Sequence, residues 1–111
     1  MDMHFTARRF KAHQDVRDHA ISAIKKLDKY YDGVVRADIV LSYEHKPNST
    51  KIAEIVLRVH GTLLTAKEKS DEFHKSIDLC IEKLERQLDR YKTKLRQKDK
   101  RTLRRVKESM A

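Results

Sequence analysis

From Phe73 to Leu95 apolar side chains return every three or four residues without a gap: Phe73, Ile77, Cys80, Ile81, Leu84, Leu88, Tyr91 and Leu95. Only a helix collects that spacing on one side. Ser70 or Asp71 can cap its start, and Asp71 and Glu72 suit the positive end of its dipole. The pattern predicts a helix to about Arg96. A helix with a single apolar face this long must lay it against another layer of structure.

The rest of the chain supplies that layer. Residues 2–7 alternate, with Met3 and Phe5 on one side and Asp2, His4 and Thr6 on the other. Residues 13–31 change to helical spacing, with Val16, Ala20, Ala23, Ile24, Leu27 and Tyr31 on one stripe, and Gly33 stands where a helix terminator is expected. Period two returns over residues 35–46, where Ala37, Ile39, Leu41 and Tyr43 oppose Arg36, Asp38, Ser42 and Glu44. After a turn at Lys46-Pro47-Asn48-Ser49, residues 50–60 alternate again, with Ala53, Ile55, Leu57 and Val59 inside. Gly61 and Thr62 predict a tight reversal into a last strand at about 63–68. The expected order is β-α-β-β-β-α, an α+β fold with two helices packed on one face of a four-stranded sheet. The first strand, being followed by a helix, needs a parallel neighbour.

Charge divides the chain differently. Residues 83–107 hold 12 of the 26 basic and 3 of the 17 acidic side chains, and so the whole net charge of +9. Concentrated positive charge attracts a polyanion and releases its condensed counterions. Within the long helix, Lys83, Arg86, Arg90 and Lys94 fall on one flank with Gln87 beside them, whereas Asp78, Glu82, Glu85 and Asp89 fall on the other. Intrahelical pairing mixes signs at i,i+4; this segregation does not serve it. A cation every turn suits a run of phosphates. Lys25, Lys26 and Lys29 on the first helix, with Arg8, Arg9 and Lys11 in the loop before it, extend the same surface if the helices lie side by side. Lys25 to Lys29 equally suit the negative end of their own helix. Residues 1–97 form the expected domain. Residues 98–111, with Lys98, Lys100, Arg101, Arg104 and Arg105, read as a basic C-terminal tail, either a frayed extension of the helix or a flexible segment, having few apolar side chains to offset ordering.

Other functions find little support. No stretch approaches a membrane span, and the start lacks a signal-peptide profile, so the chain reads as cytoplasmic. The one cysteine, Cys80, reads as a small core residue. Two glycines cannot build a phosphate loop, and the six histidines make no helical metal pair, so neither a catalytic set nor a metal site nor a cofactor is expected. His45 and His60 can approach across strands, as a surface pair. Tyr31 and Tyr43 fall on apolar stripes and suit the core, which leaves Tyr30 as a candidate for base stacking.

The order of elements, and the run Ser76-Ile77-Asp78-Leu79-Cys80-Ile81-Glu82-Lys83-Leu84-Glu85-Arg86-Gln87-Leu88, resembles the ribosome hibernation-promoting factor and ribosome-associated inhibitor A family, also called sigma-54 modulation proteins, in its short form. Its Ile-Asp, Lys-Leu and Gln-Leu pairs and Lys-rich helix end stand here as Ile77-Asp78, Lys83-Leu84, Gln87-Leu88 and Lys92-Thr93-Lys94-Leu95. Phe5-Thr6, Val40-Leu41 and Leu57-Arg58-Val59-His60-Gly61 extend the likeness over about residues 1–96. The family often has Gly where Ala7 stands and Thr where His13 stands, and the basic tail departs from the inhibitor-A-like subgroup. The resemblance implies a fold similar to double-stranded RNA-binding domains. It also implies binding to small-subunit ribosomal RNA where messenger and transfer RNA would sit, by a monomer that blocks translation through occlusion, with no small-molecule substrate and no membrane partner. Lys83, Arg86, Arg90, Lys94, Lys25 and Lys29 are the contacts expected first, then Arg8 and Arg9.

Two other readings stay open. One is a module for structured RNA acting away from the ribosome, since phosphate contacts carry no sequence information. The other is a protein-interaction regulator of transcription, with the outer sheet face at Val40 and Val56 as its partner surface.

Overall fold

The structure, a computed structural model, describes the backbone of residues 1–31, 33–44 and 50–110, and the side chains of residues 1–29, 31, 33–44 and 50–94. The expected turn at 46–49, His45, the Tyr30 ring and the side chains from Leu95 onward lie outside the described residues.

The elements are β1 (Asp2–Ala7), α1 (Gln14–Tyr30), β2 (Val34–Glu44), β3 (Thr50–Val59), β4 (Thr62–Ser70) and α2 (Phe73–Met110), the expected α+β order. The sheet runs β1-β2-β3-β4, with β1 parallel to β2 and the later pairs antiparallel. Register follows the alternation. Phe5 sits beside Ile39, Ile39 opposite Ile55, and Ile55 opposite Ala66, all on the face beneath the helices. Into this face α1 sends Ala20, Ile24 and Leu27, and α2 sends Ile77, Leu84 and Leu88, each at most 1 % exposed. Burying a leucine completely contributes about 1.5–3 kcal/mol, so a few such contacts hold both helices down. Cys80 lies in this core as a free thiol whose Sγ donates to the Ala53 carbonyl at 3.3 Å. Burial pushes its pKa up to about 12, assisted by the Glu68 carboxylate.

Local chemistry explains the boundaries. Two residues, His60 and Gly61, join Val59 to its partner Thr62, and Gly61 supplies the left-handed backbone this needs at φ +81°. His60 therefore sits beside the end of β3 that pairs with Val34. At the entry to α2, the Glu72 N–H donates to Ser70 Oγ, which lies 2.6 Å from Ser76 Oγ; the buried Ser76 donates onward to the Lys51 carbonyl at 2.8 Å. Ser70 is thus the residue that ties down this end.

Two expectations are corrected. Gly33 does not end α1 through a left-handed turn, for its φ is not positive; Tyr31 closes the helix in extended geometry, donating its N–H to the Leu27 carbonyl. Glycine is needed at 33 for space, since a Cβ there would come 2.5–2.6 Å from the Tyr31 ring. Nor does α2 stop near Arg96: its backbone stays helical to Met110. No glycine or proline interrupts it, and Lys, Arg, Gln and Leu are good helix formers. Thirty-eight residues of helix reach about 57 Å, which accounts for a longest dimension of 65 Å.

Candidate nucleic-acid interface

The two helices run in the same direction, side by side. His19 lies against His74 and Asp78, and Tyr31 meets Tyr91 edge-on at 5.6 Å. α2 lies over β3 and β4, whereas α1 packs beside it against β2. One flank of α2 therefore faces α1 and the other faces the open β4 edge. The acidic flank faces α1, with His19 Nε2 2.7 Å from Asp78 Oδ1. The basic flank faces β4: Lys83 pairs with Glu68, and Gln87 Nε2 donates to the Thr65 carbonyl at 2.7 Å.

The expected cations accordingly fall into separate groups. Arg86, Arg90 and Lys94 are exposed on one flank and have no ion-pair partner among the described residues. They span about 12 Å of helix. Lys83 begins the same row, but its charge is offset by Glu68, whose side chain is only 22 % exposed. No helical pattern announces that pairing, because Glu68 comes from a strand. Lys25 and Lys29 are exposed on α1, and between them and the α2 row lies the acidic flank of Asp78, Glu82 and Glu85. The single continuous basic surface is thus divided into two strips by a negative ridge. Arg8 and Arg9 belong to neither. They occupy the turn after β1, near the first turn of α2, where Phe10 stacks on Phe73 at 5.2 Å. From Phe73 to Arg90 is about 25 Å along the helix. Lys98, Lys100, Arg101, Arg104 and Arg105 lie on the helical extension, their side chains outside the described residues.

On the outer sheet face, the surface a protein partner would use, part of the charge is paired. Arg36 grips Asp38 with Nε and Nη2 at 3.0–3.2 Å, and Lys69 pairs with Glu44 at 2.9 Å. Val40 and Val56 are half-buried between such groups. Tyr31 and Tyr43 pack against the core, as their positions on the apolar stripes require. Among the described residues no three potential metal ligands gather, and no helix is long and apolar enough to cross a membrane.

A sequence profile of the Sigma 54 modulation protein / S30EA ribosomal protein family matches residues 3–96, which carries the whole sheet, α1 and the α2 row through Lys94. The chain belongs to this family. The match leaves residues 97–111 outside. Among curated relatives, the ribosome hibernation promotion factor of Staphylococcus aureus (strain COL) is 30% identical over 99 residues. The aligned part is 83% of this chain and 52% of that protein, so the chain spans about half the length of the relative. The fold recurs in a ribosomal subunit interface protein from Coxiella burnetii, with a TM-score of 0.76 and 22% identity, over 84% of this chain and 99% of that one. It recurs also in the Protein Y N-terminal domain from Thermus thermophilus, with a TM-score of 0.71 and 27% identity, over 82% and 99% of the two chains.

Proposed function

We propose that this chain is a ribosome hibernation factor: it binds ribosomal RNA of the small subunit in the channel for messenger and transfer RNA, and blocks translation by occupying it. The observation that carries the reading is the row Arg86, Arg90 and Lys94, unpaired among the described residues, on a fold whose relatives are named for ribosome hibernation and for the subunit interface. Cations at helical spacing on a rigid element follow a phosphate backbone without reading its sequence. A folded domain held in place by such contacts excludes other ligands by volume. Occlusion needs no substrate turnover, no cofactor and no membrane, and a cytoplasmic monomer suffices. The basic extension from Lys98 onward adds phosphate contacts beyond the family match.

The test is a cell-free translation titration run beside transfer-RNA binding to small subunits. Inhibition should rise with occupancy, reach completion near equimolar protein, and compete with transfer RNA. Raised salt should release the protein and restore translation. Inhibition at far below equimolar protein, or full simultaneous binding of protein and transfer RNA, would refute occlusion.

A further inference from the structure

Both helices begin at the same end of the molecule, and there the domain has an aromatic corner that the α2 row does not use. Phe10, from the loop after β1, meets the Tyr43 ring edge-on at 4.7 Å and stacks on Phe73 at 5.2 Å. Phe10 packs against the edge of the core and remains partly exposed. Clefts open on both sides of the Phe10–Tyr43 pair. One, of about 500 Å³, is bordered by Arg8, Arg9 and Ser42. The other, of about 650 Å³, is bordered by Lys11 and Lys51. Both volumes are in the range of small-ligand sites.

We propose that this corner holds one unpaired nucleotide of an RNA strand, with its base against the Phe10–Tyr43 aromatic pair and its two flanking phosphates directed to Arg8 and Arg9 on one side and to Lys11 and Lys51 on the other. The chemistry fits in three ways. Base–aromatic stacking is tolerant of sequence, because every base has a π-face. Cations on both sides of the rings match a nucleotide within a chain, which has a phosphate on each side of its sugar; a free mononucleotide has only one. The second cleft also receives both helix N-termini, and α1 enters it with His13 at the cap position making no side-chain capping bond, so its first N–H groups lack that acceptor. Two carboxylates, Asp15 and Glu72, border the same cleft and restrain its affinity for a bare anion. Lys51 is held in place by donating to the Asp71 carbonyl at 3.1 Å. Arg9 takes a left-handed backbone, φ +63°, that arginine rarely adopts, so the turn carrying both arginines is strained.

The proposal rests on the reading that the chain binds ribosomal RNA, but its first readout uses short free RNA in place of ribosomes. Amide shifts of the isotopically labelled full chain are followed while an unstructured RNA trinucleotide, a 5′-mononucleotide or inorganic phosphate is added up to about 10 mM. The trinucleotide should perturb Phe10, Lys11, Tyr43 and His74, and bind about tenfold more tightly than the mononucleotide, one charge-assisted contact's worth. The variant Arg9→Gly/Lys11→Ala relaxes the strained turn and removes one cation on each side of the rings. It should fold normally and lose the trinucleotide at least tenfold, whereas Arg86→Ala/Arg90→Ala/Lys94→Ala should keep those shifts. The proposal is overturned if the corner amides do not move, if phosphate alone binds there as well as the trinucleotide, or if the cleft variant binds unchanged. Small-subunit binding by the same variants separates the two readings. A corner that fails while the α2 triple variant still loses the subunit refutes only the corner; a corner that binds RNA in a chain with no subunit affinity refutes only the hibernation reading.

Discussion

Changing Arg86, Arg90 and Lys94 together to alanine tests the electrostatic reading most directly. All three side chains are exposed and unpaired among the described residues, so each substitution should cost at most about 0.5 kcal/mol of stability. Each lost phosphate contact should lower the log–log slope of affinity against salt by about 0.7–0.9, and three by about 2–3. Over a fourfold rise in salt the affinity gap between parent and variant should therefore narrow by about 16- to 64-fold. Lys83 provides an internal control. Its charge is already engaged by Glu68, so Lys83→Ala should reduce the slope by less than about 0.7, and Glu68→Gln should free the ammonium and raise it. The measurement is small-subunit co-sedimentation across a potassium chloride series, with a thermal melt to establish folding. A folded triple variant with unchanged affinity and slope would refute the assignment of this flank.

Other outcomes follow from particular contacts. Deleting residues 98–111 should leave the melting temperature within about 2–3 °C of the parent, since the core formed by the described residues precedes it, while lowering RNA affinity and salt slope; a large drop would show that the extension packs on the domain. Gly33→Ala should cost about 1–3 kcal/mol in urea denaturation by displacing the Tyr31 ring from Tyr91. Gly61→Ala meets nothing within 4 Å and should cost about 1–2 kcal/mol through its left-handed backbone alone, leaving near-ultraviolet tyrosine signals unchanged. The Cys80 thiol should resist alkylation until the protein unfolds. Its pKa is raised on folding, so its contribution is complete below the unfolded value of 9.0 and is lost by about 1.4 kcal/mol per pH unit as pH climbs toward 12; Cys80→Ala should lack that slope.

Periodicity made the fold legible because each element buries one face. Ile39, Leu41, Ile55 and Leu57 alternate at a period that only strands satisfy, and Ile77, Leu84 and Leu88 at one that only helices satisfy, and all seven are fully buried. Element ends were less legible. The thinning of the apolar stripe after Leu95 marks where the sequence pattern stops; helical backbone continues wherever no residue opposes it, as it does to Met110. Gly33 carries the signature of a helix terminator, but its smallness accommodates a ring two residues earlier. The site was legible as a row and illegible as a surface. Segregation of Arg86, Arg90 and Lys94 from Asp78, Glu82 and Glu85 can be counted off one helix, whereas the neighbour each flank meets depends on the sheet order. The Glu68 carboxylate beside Lys83 and the Phe10–Tyr43–Phe73 corner join residues from separate elements, and no spacing within the sequence encodes them.

That division of the cations has a consequence for how the chain can lie on RNA. Lys25 and Lys29 on α1 and the α2 row are exposed on the same layer, but Asp78, Glu82 and Glu85 lie between them. A phosphate strand crossing from one strip to the other would pass over those carboxylates, and like charges at close range repel by an amount comparable to what a surface cation contributes. On the proposed function, the strips would therefore engage different strands, or different segments of one folded RNA, with the acidic ridge over the gap between them. Contacts so separated should act independently. Lys25→Ala/Lys29→Ala and Arg86→Ala/Arg90→Ala should each weaken small-subunit binding, and the quadruple variant should lose the sum of the two free energies within about 0.5 kcal/mol. Replacing Glu82 and Glu85 by Gln should increase affinity for any RNA and make the two pairs interdependent, because a single strand could then bridge them. Strong coupling between the pairs in the parent chain would show that one strand already crosses the ridge, and would remove the basis for two separate contacts.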